Sequence, residues 1–113
     1  MTNNYEIKIT EKDLSRQIEN LLNIFSWRWC HFRAARTELG WRTAISGHKG
    51  FVDYVAVRSG ICLFIELKSE KGKLSAEQVE WASELKDIAN HSLGVMYFCW
   101  RPSDIENIAQ VLR

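Results

Sequence analysis

Two acids and one lysine near the middle of the chain have the spacing expected of a metal-dependent hydrolytic site. Glu66 and Lys68 follow the apolar run ICLFI at 61–65. If this run is a β-strand, residues two apart point to the same face, and the two side chains can share a site. Asp53 ends the preceding segment GFVD, and a hairpin would bring its carboxylate beside Glu66. Two close carboxylates repel each other unless a cation lies between them, so the trio predicts a divalent-metal site.

The tripeptide Glu-x-Lys is a weak signal alone, because it also occurs at Glu6–Lys8 and Glu84–Lys86. The first copy lies in a polar N-terminal arm. The copy at 84–86 falls in a predicted helix, where residues two apart point to different sides. Only Glu66 and Lys68 can converge. An ion pair between them without any function is the structural alternative.

Phosphodiester hydrolysis is the chemistry that this trio fits. Carboxylate oxygens suit Mg²⁺, which keeps several of its waters and neutralises charge that develops on a phosphate. A lysine ammonium beside it can orient the attacking water or stabilise the transition state. We therefore expect Asp53 and Glu66 to bind the metal and Lys68 to act on the water or the phosphate.

The elements that must position these residues can be predicted from hydrophobic periodicity and capping signals. Thr10 caps a helix over about 11–26, and Ser75 with Gln78 opens a second helix as a capping box. Ser103 with Glu106 does the same for a last helix to about 112. Strands are predicted at 27–32, 51–57, 61–67 and 93–100, with a basic loop after the first strand. The order is helix, strand, strand, strand, helix, strand, helix.

Bulk composition indicates one globular α/β domain over residues 1–113, with 1–9 as a flexible or extended arm. The start is too polar for a secretory signal and no apolar run is long enough to cross a membrane, so we expect a cytoplasmic protein with no membrane partner. Cys30, Cys62 and Cys99 are too scattered for a disulfide framework or a zinc site. The net charge of +1 carries no argument for nucleic acid, but basic residues concentrate between 27 and 49.

Together these segments resemble the VRR-NUC branch of the PD-(D/E)XK nucleases. The resemblance rests on GFVD, IELK, SEKGKLS and Gln78 followed by Trp81, with HFRAART and WRPSD matching small stand-alone phage and prophage members. It covers most of the chain, although Val52 stands where the family often has proline. It implies a restriction-endonuclease-like three-layer α/β/α core with a central mixed four-stranded sheet. It also implies a DNA endonuclease that uses Mg²⁺ or Mn²⁺, a homodimer or larger assembly, and a phage or prophage origin.

The resemblance further implies a glutamate on the first helix and a glutamine at the edge of the site. Glu11 lies roughly 35° from the centre of the apolar stripe and Glu19 roughly 115° away, so we expect Glu11 to face inward. A favourable interaction with the helix dipole explains Glu11 equally well. The expected metal ligands are Asp53, Glu66, the Leu67 backbone carbonyl and Glu11. Gln78 would support catalysis, and its place in the capping box explains it equally well.

DNA binding is expected from the basic loop, where Arg33, Arg36, Arg42 and Lys49 are candidates for phosphate contacts. Solvated loop arginines are the structural alternative. Two other functions compete with the endonuclease. One is a DNA-binding module that keeps the fold without cutting, and the other is a protein-interaction domain in which Asp53, Glu66 and Lys68 form an inert ionic cluster. Metal-dependent nicking would distinguish the nuclease from both.

Overall fold

The computed structural model describes the backbone of residues 9–32, 35–37, 40–42 and 45–113, and the side chains of 9–32 and 45–113. These residues form a mixed α/β fold. The elements along the chain are α1 (Glu11–Ile24), β1 (Arg28–His31), β2 (Ala35–Thr37), β3 (Gly40–Arg42), β4 (Tyr54–Arg58), β5 (Ile61–Leu67), α2 (Ala76–His91), β6 (Val95–Trp100) and α3 (Ile105–Leu112). A 3₁₀ turn over Pro102–Asp104 joins β6 to α3.

The central sheet has four strands in the order β1-β4-β5-β6. Strands β4 and β5 form the predicted antiparallel hairpin, in which Arg58 pairs with Ile61. The two-residue turn between them places Ser59 and Gly60 at positive φ, which matches the right-handed twist of the flanking strands. Strand β6 runs parallel to β5 after the α2 crossover, so the sheet is mixed, as predicted.

Helices pack on both faces of this sheet. Alternation along β5 sends Leu63, Ile65 and Leu67 into a buried core shared with α1 and α3. The α1 and α3 side chains in that core are Leu14, Ile18, Leu22, Ile108 and Leu112. The residues between them on β5 point to the other face. There the ring of Phe64 lies 6.2 Å from that of Phe51, which in turn lies 4.8 Å from Trp81 of α2. Glu66 therefore projects toward α2.

Capping signals predicted two helix starts correctly. Thr10 caps α1 by accepting from the Asp13 backbone N–H, and the Asp13 side chain accepts from the Thr10 backbone in return. Ser75 and Gln78 form the predicted capping box of α2. The proposed Ser103 cap of α3 is wrong, because the Ser103 N–H donates to the Glu70 carboxylate (3.0 Å) and α3 begins only at Ile105 after the 3₁₀ turn.

Three strand predictions need correction. Residues predicted as loop contain a small antiparallel hairpin, in which β2 pairs with β3 through Arg36 opposite Trp41. Strand β4 begins at Tyr54 rather than at 51, so Asp53 lies just before the ladder instead of within it. Strand β6 begins at Val95 rather than at 93.

No helix in the described part of the chain is long and apolar enough to span a lipid bilayer.

Candidate active site

Asp53 and Glu66 meet at the open end of the β4–β5 hairpin. Tyr54 pairs with Ile65, which places Asp53 and Glu66 next to each other just beyond that pair. The Asp53 carboxylate accepts a hydrogen bond of 2.7 Å from the backbone N–H of Leu67. The Asp53 carboxylate thus takes the place of a backbone carbonyl where the β4–β5 ladder ends. This hydrogen bond to β5 restrains the orientation of the carboxylate.

Glu66 is a buried acid, with only 2% of its surface exposed. Burial raises the pKa of Glu66 to about 9, helped by a hydrogen bond shared with the Asp53 side chain and by the charge of Asp53, while Lys68 opposes the rise. In the absence of a cation, therefore, the pair holds a proton near neutral pH. A divalent cation would take the place of that proton.

Lys68 directly follows β5 and is half-buried. Its backbone N–H donates to the Trp100 carbonyl (3.0 Å), which extends the parallel β5–β6 ladder past Leu67. The two-residue period places Lys68 on the same side as Glu66. Its charge lowers the pKa of both Glu66 and Glu11, so the ammonium lies within electrostatic reach of both acids.

Gln78 connects the site to the start of α2. Its Nε2 donates to Glu66 Oε1 (3.2 Å), while its Oε1 accepts from the Ser75 backbone N–H (2.9 Å). The two roles that the sequence left open are therefore filled at once. Gln78 caps the helix with one end of its amide and holds the Glu66 carboxyl with the other.

The GFVD segment is held against α2. Gly50 has φ +90°, and a Cβ at this position would lie 2.7 Å from the Glu77 Cβ, so only glycine fits this close approach. The Trp81 indole N–H donates to the carbonyls of His48 (3.3 Å) and Lys49 (3.1 Å). Trp81 thus holds the backbone of His48 and Lys49 against α2.

Glu11 lines a cleft of about 550 Å³ between α1 and the sheet. Asp53 and Leu67 line the same cleft. Desolvation raises the pKa of Glu11, the Asp53 charge adds to the rise, and Lys68 opposes it. Four of the residues singled out in the sequence, Glu11, Asp53, Glu66 and Lys68, therefore influence one another electrostatically.

Glu19 also faces this cleft, so the expectation that only Glu11 looks inward is wrong. Glu19 Oε2 accepts from the Tyr54 hydroxyl (2.5 Å) and lies 3.3 Å from His31 Nδ1. The Tyr54 hydroxyl also bonds Ser15, and the His31 ring stacks on Tyr54 with centroids 4.1 Å apart. Helical-wheel angles missed this network because the long glutamate side chain reaches sideways to a tyrosine on the sheet. The signal available in the sequence was a tyrosine in a predicted strand, because the hydroxyl of a buried tyrosine usually has a hydrogen-bond partner.

The predicted DNA-contacting residues are only partly described. Arg33 and the side chains of Arg36 and Arg42 lie outside the described residues. Lys49 is described, and its ammonium lies 3.5 Å from Glu77 Oε1. Lys49 lines a different depression, beside α2, rather than the cleft that holds Asp53.

The donor set fits Mg²⁺ or Mn²⁺ better than a soft transition metal. Within the described residues, no group of three or more His, Cys, Asp and Glu side chains is arranged to hold a metal ion. A pair of carboxylates is enough for Mg²⁺, which keeps several waters and takes further oxygens from substrate phosphates. The observation that supports this fit is the buried Glu66 beside the carboxylate of the partly buried Asp53, because a cation would compensate both charges.

Comparisons with models of known protein families and with functionally curated proteins find no match for this chain.

Proposed function

We propose that this protein is a metal-dependent DNA endonuclease that hydrolyses phosphodiester bonds. The observation that carries the proposal is the pairing of Asp53 with the buried Glu66 at the end of a β-hairpin, with Lys68 on the same side of the strand. Isolated buried carboxylates are costly, and perturbed acids in a cleft are characteristic of functional sites. A nuclease gives each of these three residues a chemical role.

Asp53 and Glu66 would bind Mg²⁺ or Mn²⁺, with the Leu67 carbonyl and Glu11 as further oxygen ligands. When bound, such a cation supplies Lewis-acid chemistry, because it neutralises charge on the scissile phosphate and acidifies a water. Lys68 would hold that water or the phosphate in position. Gln78 would keep the Glu66 carboxyl in a fixed orientation through its 3.2 Å hydrogen bond.

The described helices and strands also support a restriction-endonuclease-like fold. A mixed four-stranded sheet with helices on both faces, and acids at the end of a central hairpin, is compatible with the restriction-endonuclease-like arrangement that the VRR-NUC resemblance implies. We also propose a homodimer or larger assembly, since a domain of this size covers little of a DNA duplex.

A cleavage panel with metal controls tests the proposal. Labelled duplex, single-stranded, flap and four-way-junction DNA would be incubated with the protein in Mg²⁺, Mn²⁺ or EDTA. Metal-dependent cleavage of at least one substrate is the expected result. Binding of DNA without cleavage would indicate a non-cutting module instead. Neither DNA binding nor Mn²⁺ uptake would identify Asp53, Glu66 and Lys68 as an inert ionic cluster.

A further inference from the structure

Two cations on α1 border the cleft that contains Asp53. Lys12 and Arg16 line this cleft together with three acids, Glu11, Glu19 and Asp53. They are one helical turn apart, so their side chains extend from the same side of the helix and are separated by about 6 Å along its axis. Both cations lie outside the basic loop for which the sequence predicts DNA contacts.

Neither cation is neutralised within the described residues. Lys12 and Arg16 take part in none of the ion pairs or side-chain hydrogen bonds there, whereas Lys49 is paired with Glu77 at 3.5 Å. Both cations help to lower the pKa of the nearby Asp13, although neither forms an ion pair with it within the described residues. Two exposed cations beside an acidic centre are thus available for an anionic ligand.

The helix dipole and the repulsion between Lys12 and Arg16 act against this pair of cations. Lys12 lies in the first turn of α1, where positive charge interacts unfavourably with the helix dipole. Like charges at i and i+4 destabilise a helix by roughly 0.2–0.5 kcal/mol. Residues that destabilise the helix or strand in which they stand are characteristic of functional positions. Neither the helix dipole nor the spacing of the two cations therefore favours the pair, and their favourable local interaction is with Asp13.

We propose that Lys12 and Arg16 bind successive phosphates of the DNA strand that is cut, and so hold it against Asp53. This inference rests on the proposed nuclease function. The cleft has three acids and two cations, so a phosphate backbone would be repelled there without these contacts. With a divalent cation bound, the cleft is positive on balance and accommodates the strand. The helix α1, rather than the basic loop alone, then forms the track for the substrate.

Salt dependence of DNA binding is the test, measured with a labelled DNA duplex in Ca²⁺ for the parent, Lys12→Ala, Arg16→Ala and the double variant. Each lost phosphate contact should reduce the slope of log affinity against log salt by about 0.9, and the double variant by about 1.8. Arg16→Lys should restore the parent slope, because it keeps the charge. Thermal midpoints should hold or rise, because a repulsion is removed.

Arg28→Ala is the matched control, since it removes the same charge at the opposite end of β1 from His31, where Arg28 lines a separate depression. Its slope should equal that of the parent. The proposal is overturned if Lys12→Ala and Arg16→Ala change the slope no more than Arg28→Ala, or if their loss of binding follows a loss of folding. Parent protein that binds none of the duplex, single-stranded, flap and junction DNAs in Ca²⁺ would instead contradict the nuclease function itself.

Discussion

The Asp53 carboxylate accepts a 2.7 Å hydrogen bond from the backbone N–H of Leu67, and this contact fixes the side chain of the candidate metal ligand to the strand that carries Glu66. Asp53 therefore has a structural task in addition to its proposed chemical one. Leu67 is buried, so its N–H would lose its partner if the carboxylate were removed.

Two substitutions at Asp53 separate these tasks. Asp53→Ala leaves the Leu67 N–H without an acceptor, which costs about 1–3 kcal/mol. Asp53→Asn keeps an acceptor oxygen and relieves the repulsion with Glu66, so it should be the more stable variant by thermal or urea unfolding. Both should lose cleavage. Equal stability of the two variants would show that the hydrogen bond contributes little, and cleavage by either at the parent rate would remove Asp53 from the site.

The raised pKa of Glu66 predicts how stability depends on pH in EDTA. An unfolded glutamate titrates near ~4.3, whereas the pKa of Glu66 in the folded protein is about 9. Between these two pH values the folded state thus binds more protons than the unfolded state. The contribution of the protonated Glu66 to stability is therefore lost as pH rises toward 9. Glu66→Gln cannot ionise, so its stability should fall less between about pH 6 and about pH 8.5. Parallel pH profiles for parent and variant would argue against a shifted Glu66.

Gln78 can be tested by separating its two hydrogen bonds. Gln78→Glu keeps an acceptor for the Ser75 N–H but removes the donor to Glu66 and adds a charge, so cleavage should fall by about 10- to 100-fold. Ser75→Ala is the matched control, because it weakens the α2 cap by ~1 kcal/mol and leaves the Gln78–Glu66 contact in place. Initial rates and thermal midpoints of both variants would be measured. A rate loss in Ser75→Ala equal to that in Gln78→Glu would reduce Gln78 to a helix cap.

Glu11 and Glu19 should differ when the Mn²⁺ requirement is measured. Glu11 is coupled to Asp53 and Lys68, so Glu11→Gln should raise the Mn²⁺ concentration for half-maximal cleavage by about tenfold or more. Glu19 is engaged by Tyr54, so Glu19→Gln should lower the thermal midpoint without changing that concentration. Tyr54→Phe should reproduce the Glu19 result. The opposite pattern would make Glu19 the helical ligand.

The sequence predicted the parts of the site that depend on local periodicity. Alternation along β5, the hairpin turn and the α2 capping box placed Glu66 and Gln78 correctly. The short hairpin β2–β3 was missed because strands of three residues contain too little periodicity to stand out from a loop. Ser103 was misassigned because its partner, Glu70, is distant in the chain.

Side-chain reach accounts for what the sequence missed in the cleft. Glu19 was placed by the angle of its Cα on the helix, but a glutamate has enough length to reach the Tyr54 hydroxyl on the sheet. Asp53 was expected inside a strand, and its bond to the Leu67 N–H depends on the ladder ending one residue later. Such tertiary contacts leave no mark in a local pattern.

If Glu66 belongs to a metal centre that cuts DNA, its conversion to glutamine should abolish nicking. Initial nicking rates at saturating plasmid DNA in Mn²⁺ would be measured for the parent, Glu66→Gln and Glu84→Gln. Glu84 is the matched control, since it begins another copy of the Glu-x-Lys pattern but is exposed on α2. We expect parent-like nicking by Glu84→Gln and no detectable nicking by a folded Glu66→Gln. Parent-like nicking by Glu66→Gln would contradict this expectation.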